Sequence, residues 1–148
     1  MRKCILYIVL IASVSSCEEL ENLTSIDLPD DASDMIGRWQ VVEYGYSPGA
    51  GYFVESVPLI PAQVLTFSAD GKFNSNYHGF EDHNFFNIIE QNDELILVLS
   101  DDQPVVVTET VDIDYTTYNI WQSIEEGKTE LWYRYCREGC HVGIRKIE

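Results

Sequence analysis

Basic residues are scarce in this chain: nine Lys and Arg stand against 25 Asp and Glu, giving a net charge of −16 over 148 residues. A body this acidic repels phosphate backbones, which excludes nucleic acid as a partner. No apolar run reaches the roughly 20 residues that a membrane-spanning helix needs. No stretch long enough for a substantial helix carries the 3.6-residue period. Enzyme fingerprints are missing as well. Gly-x-Ser-x-Gly, His-Glu-x-x-His, the phosphate loop and the dinucleotide-binding pattern do not occur, so the sequence offers no catalytic residue and no cofactor. Apolar side chains are not lacking, however. A hydrophobic content of 45% and an aromatic content of 12% argue against wholesale disorder. The length suffices for one hydrophobic core and is too short for two.

The N-terminus reads as an address. Met1-Arg2-Lys3 is a short positive start, residues 4–14 are mostly apolar, and Ser15-Ser16 follows. This is the three-part layout of a secretory signal. Val14-Ser15-Ser16-Cys17 resembles a bacterial lipobox, in which cleavage falls before the cysteine and the cysteine is lipidated. The resemblance implies residues 1–16 as a lipoprotein signal peptide and Cys17 as the anchored first residue of the mature chain. Several acyl chains on one residue exceed what stable anchoring needs. Glu18-Glu19-Leu20-Glu21 resembles the acidic segment that marks export to the outer face of the outer membrane in Bacteroidetes lipoproteins, and a plain solvated tether is the alternative. Residues 17–34 read as an acidic tether. The expected location is the outer membrane, with membrane contact through the lipid anchor only.

From Met35 onward the pattern has period two, with turn residues at short intervals. Strands are expected over 37–46, 64–68, 73–77, 85–91, 94–99, 105–112, 118–124, 129–136 and 141–147, with a long Gly/Pro loop over 47–61 and one helical turn over 32–36. Asp70-Gly71 and Asn92-Asp93 supply turn chemistry. Eight or nine strands joined as sequential hairpins predict an all-β, antiparallel up-and-down barrel, in which closure removes exposed edges; a β-sandwich is the alternative.

Gly37-x-Trp39 after a short helical turn is similar to the start of a lipocalin. Thr66-Phe67-Ser68-Ala69-Asp70-Gly71-Lys72-Phe73 and Cys136-Arg137-Glu138-Gly139-Cys140 follow in the order found in lipocalin-like lipoproteins of Bacteroidetes. The resemblance covers residues 35–148. It implies that Trp39 plugs the closed end of a barrel against a basic residue from the last strand, with Arg145 the first candidate and Lys146 the second. The segment 105–118 departs from the pattern by its acidic and polar content.

Cys4 leaves with the signal and lipid consumes Cys17, so Cys136 and Cys140 remain. In an oxidising compartment, their three-residue gap across a turn suits a structural disulfide. His78, His83 and His141, with Glu81 and Asp82, could suggest a metal site. His78 and His83, however, are five apart in an expected loop, a spacing with no fixed geometry, and read as solvated loop histidines. Asp101-Asp102 and Asp112-x-Asp114 lack the glycine and bidentate glutamate of a calcium loop, so no metal is expected. The aromatics remain. Phe67, Phe73, Tyr77, Phe86, Tyr118 and Tyr133 are candidates to line a ligand cup, or else to fill the lumen. Two functions follow. One is a monomeric, lipid-anchored binding protein holding a small apolar molecule in the barrel. The other is an acidic interaction or inhibitor module for a cationic protein or peptide.

Overall fold

The computed structural model describes residues 28–104, 116–123 and 127–148. The signal, Cys17, most of the tether and the expected strand over 105–112 lie outside these residues. Among the described residues, a 3₁₀ turn, η1 (Asp30–Met35), precedes nine strands: β1 (Gly37–Tyr46), β2 (Phe53–Ser56), β3 (Val64–Phe67), β4 (Phe73–Ser75), β5 (Phe85–Gln91), β6 (Glu94–Ser100), β7 (Thr116–Ser123), β8 (Lys128–Tyr133) and β9 (Cys140–Lys146). All ladders are antiparallel and form one sheet in the order β4-β3-β1-β9-β8-β7-β6-β5. A single continuous sheet excludes the sandwich. The last strand pairs with the first along its length, and β4 meets β5 only through a bridge between Lys72 and Phe85. The result is a nearly closed, eight-strand up-and-down barrel of the lipocalin-like kind.

Local chemistry explains the elements. Asn92 and Asp93 adopt φ of 55° and 62°, the left-handed pair that joins β5 to β6 in a tight hairpin. Leu95, Leu97 and Leu99 alternate toward the core, as period two requires. The expected 47–61 loop holds a surprise. Its residues Phe53–Ser56 form β2, which pairs with the end of β1 (Tyr46 opposite Phe53, Tyr44 opposite Glu55). Four residues flanked by glycines and prolines are too short to announce a strand by periodicity.

β1 carries a second departure from simple alternation. Its register with β9 shifts between Val41 and Glu43, so that Val41 faces Ile144 while Glu43 faces Gly143. The extra residue is a β-bulge. Strict alternation from Trp39 and Val41 would turn Glu43 inward. The bulge instead sends Tyr44 toward the core and Glu43 to the outer wall.

Both ends of the barrel are stopped. At one end Ala32 and Met35 of η1 are fully buried, and the Trp39 indole N–H donates to the Met35 carbonyl at 2.8 Å. Gly37 opens β1 at φ 131°, and a side chain there would run into the Glu148 carbonyl. At the other end Phe80, from the β4–β5 connection, packs between Phe73 and Tyr118. The core runs continuously between these stops through Leu65, Phe67, Phe86, Ile88, Leu97, Leu99, Leu131 and Ile144. Ile96 and Val98, on the opposite face of β6, are also buried and pack with Ile89.

Candidate functional site

Two side-chain constellations stand out, on opposite faces of the same part of β1. The first lies on the outer wall. Glu43 (β1), Lys128 and Glu130 (β8) and His141 (β9) point outward from three adjacent strands. The Lys128 ammonium donates to Glu43 Oε1 at 2.6 Å and lies 3.2 Å from Glu130 Oε1. His141 Nε2 is 3.1 Å from the same Glu43 oxygen, and the Trp132 indole N–H donates to Glu130 Oε2 at 2.9 Å. Tyr52 comes down from the loop before β2, and its hydroxyl is hydrogen-bonded to His141 Nδ1. Its ring stacks on both Trp132 and His141. This cover leaves His141 only 4% exposed, although it faces away from the barrel core.

Glycines make the cluster possible. A side chain at Gly45 would collide with the Tyr52 hydroxyl and the His141 ring, and one at Gly143 with the Glu43 side chain. Burial pushes the Glu43 carboxyl up, but the hydrogen bonds from Lys128 and His141 outweigh it and hold the group below its ordinary value. The Glu43 hydrogen bond leads the causes that raise Lys128 above its ordinary value. Ligand atoms of Glu43, Glu130 and His141 lie within 4.8 Å of one another, a donor set that suits a divalent cation. The single Lys128 ammonium bridges both carboxylates and offsets half of their charge from the position a cation would take. Burial, with Glu130 and Glu43 nearby, raises the Tyr52 hydroxyl, the opposite of what an activated nucleophile needs. The cluster therefore reads as a latch that fixes the 47–52 loop on the wall.

The second constellation lies on the other face of the β1–β2 ribbon, at the end of the barrel where Tyr46 pairs with Cys140. Tyr44, Tyr46 and Phe53 form a row of rings with centroids 5.8 and 5.9 Å apart. The Tyr44 and Tyr46 hydroxyls donate to the two oxygens of Glu55 at 2.6 and 2.8 Å. These bonds hold the Glu55 carboxyl below its ordinary value and push Tyr44 up to about 12. Phe53 remains 47% exposed and Ile60, further along the same segment, 89%.

The residues expected to matter are distributed as follows. Trp39 is buried at the closed end, but its basic neighbour is Lys146, whose ammonium lies 5.6 Å from the ring centroid, and not Arg145. Register explains the correction. Lys146 is opposite Trp39 and shares its face, whereas Arg145 is opposite Gln40 and points outward into solvent. Cys136 and Cys140 are disulfide-linked, with Cα atoms 5.7 Å apart. Phe67, Phe73, Phe86 and Tyr118 are buried together, and Phe80 joins them. Tyr77 packs on Phe80, and Tyr133 lies half-exposed over Tyr118. Of these six, only Phe73 borders the open cleft of about 680 Å³ at the β4–β5 seam, whose other walls include Lys72, Asn84, Asp101 and Asp102.

The histidines need a second correction. His141 sits on β9, where the expected strand over 141–147 places it, and is covered by Tyr52; the departure is at His83. His78 pairs with Glu81 at 2.7 Å on the surface, whereas the His83 side chain, only 13% exposed and so not solvated, pairs with Asp101 at 2.5 Å. Neither constellation was legible as a motif, because cross-strand pairing, not sequence spacing, assembles each one. No family model, curated protein or solved structure matches this chain.

Proposed function

We propose that this chain is a lipid-anchored, outer-membrane protein of the lipocalin-like lipoprotein type that binds a cationic protein or peptide on its exterior. The observation that carries this reading is the packing of the barrel. Phe67 meets Phe73 at 5.0 Å and Phe86 at 5.1 Å, and Phe80 meets Tyr118 at 5.2 Å, so the rings that could have lined a cup stabilise one another. A filled barrel is a scaffold, and recognition then belongs to its surface. With 25 acidic against nine basic residues, that surface attracts cations over long range and speeds their encounter. The motif order from Gly37-x-Trp39 to Cys136-x-x-x-Cys140 supports the family reading, and Val14-Ser15-Ser16-Cys17 supports the anchor.

Two measurements test this. Titration with an arginine-rich synthetic peptide should give saturable binding that weakens as salt is raised, while cis-parinaric acid, a fluorescent apolar probe, should find no stoichiometric site. One-to-one uptake of the fatty-acid probe with no peptide binding would return the function to the barrel lumen. For the anchor, Cys17→Ala should abolish labelling by a fatty-acid analogue and leave an uncleaved precursor. Persistent labelling would rule the lipobox out.

A further inference from the structure

We infer that the β1–β2 ribbon is the docking site for the cationic partner, which adds as an extended strand to the open edge of β2 and places an arginine on Glu55. The inference rests on the cationic-partner reading above and names where and how that partner is held.

Three observations meet here. First, β2 pairs with β1 alone among the described residues, so one of its edges is open. The Val57 N–H donates to the Val42 carbonyl on β1. Alternation then turns the backbone groups of Phe53 and Glu55 toward β1 and those of Val54 and Ser56 outward. An open edge with outward N–H and C=O groups is a template for strand addition. Second, no positive charge guards the edge, and apolar side chains lie exposed along it and just beyond it: Phe53 and Val54 in β2, Leu59 and Ile60 after it. No lysine or proline lies within Phe53–Ser56 to discourage pairing.

Third, the face beside that edge is built for a guanidinium. Glu55 accepts one hydrogen bond from each tyrosine, and a carboxylate has about four acceptor positions, so about two remain for an incoming donor pair. The tyrosines also fix the carboxylate, which removes part of the ordering cost of binding. Tyr46 and Phe53 supply flat ring faces alongside, and arginine combines planar stacking with bidentate pairing in a way lysine does not. On a strand added beside β2, the residue opposite Glu55 projects to this same face, within reach of both the carboxylate and the rings. The Tyr52 latch on the opposite face holds the ribbon in position before the partner arrives.

The test uses a synthetic peptide of alternating arginine and threonine, and a second peptide with citrulline, the uncharged isostere, at each arginine. Affinities are measured by calorimetry on the mature protein. Glu55→Gln and Val54→Pro should each weaken the arginine peptide by about ten-fold or more, with melting temperature and circular dichroism unchanged. The citrulline peptide should bind weakly to every form and lose little through Glu55→Gln. Equal affinity of the arginine peptide for wild type, Glu55→Gln and Val54→Pro would overturn the inference while leaving a cationic partner elsewhere on the surface. Failure of wild type to bind any arginine peptide would remove the functional reading itself. Should Val54→Pro disturb the melting temperature, Val54→Lys, which charges the edge without removing an N–H, gives the same readout.

Discussion

Tyr52 and His141, 89 residues apart, are joined by a hydrogen bond that pins a glycine-rich loop to the outer wall of the barrel. His141 completes the chain on its other side through Glu43. Loss of the hydroxyl alone should therefore loosen the loop more than the barrel. Tyr52→Phe is expected to cost about 1 kcal/mol, the net worth of one hydrogen bond. Hydrogen exchange of residues 47–56 should accelerate while the core strands stay protected. Gly45→Ala should cost more, about 1–3 kcal/mol, because its methyl group collides with both partners of that bond. Chemical denaturation with exchange mapping checks both. Uniform loss of protection across all strands for Tyr52→Phe would contradict a local latch.

The Glu43–Lys128 pair makes stability depend on pH in a defined direction. Side chains here are 21% and 11% exposed, so the pair is largely shielded from solvent. Glu43 titrates below its ordinary value of 4.5 in the fold. Its contribution is therefore complete above the unfolded pKa and is lost as pH falls through the folded one. Lys128 titrates above 10.5, so its contribution is complete below that value and is lost as pH rises through the higher folded pKa. Lys128→Met should cost about 1.5–3 kcal/mol near pH 7. The gap between wild type and variant should then shrink as pH falls below about 4. Urea midpoints measured from pH 3 to 8 provide the check, and a gap that does not change with pH would exclude this pair as its source.

The parts of this structure that the sequence discloses are those governed by local rules. The β5–β6 hairpin is one, because Asn92-Asp93 fixes the turn and Leu95, Leu97 and Leu99 fix the face. What escapes is set by events between strands. The burial of Ile96 and Val98 on the second face of β6 is foreshadowed by the unbroken apolar run over 95–99, but nothing in that run says what covers the second face. The bulge after Val41 inverts the expected side of Glu43, and with it hides the Glu43–Lys128–His141 cluster. Glu55 looks like one more surface carboxylate until β2 pairs with β1 and brings two tyrosines to it.

The disulfide between Cys136 and Cys140 closes a very short loop between β8 and β9. On the chain-entropy model a loop this small contributes about 2 kcal/mol. Mass spectrometry of the unreduced protein should find the two residues linked, with neither as a free thiol, and reduction should lower the melting temperature by several degrees. Two alkylatable thiols in unreduced protein would sink the assignment.

The closed end of the barrel offers the sharpest contrast. Trp39 is buried, donates its indole N–H to Met35, and carries the Lys146 ammonium over its ring. Truncating a buried tryptophan costs about 3–5 kcal/mol, a large part of a small domain's stability. Trp39→Ala should therefore lower the melting temperature sharply. Lys146→Ala removes one cation–π contact near solvent, worth about 0.5–1 kcal/mol. It also removes the ammonium's hydrogen bond to the Asp34 carbonyl, made at 2.7 Å, which ties η1 to β9. Arg145→Ala should change almost nothing, since that side chain is exposed beside Gln40 and misses the indole. The Trp39 and Lys146 effects should be sub-additive in the double variant, because the two residues share one contact, while Arg145→Ala adds independently. If Arg145→Ala instead proved the more damaging and coupled to Trp39→Ala, the register between β1 and β9 would have to slip by one residue, which would turn Ile144 out of the core.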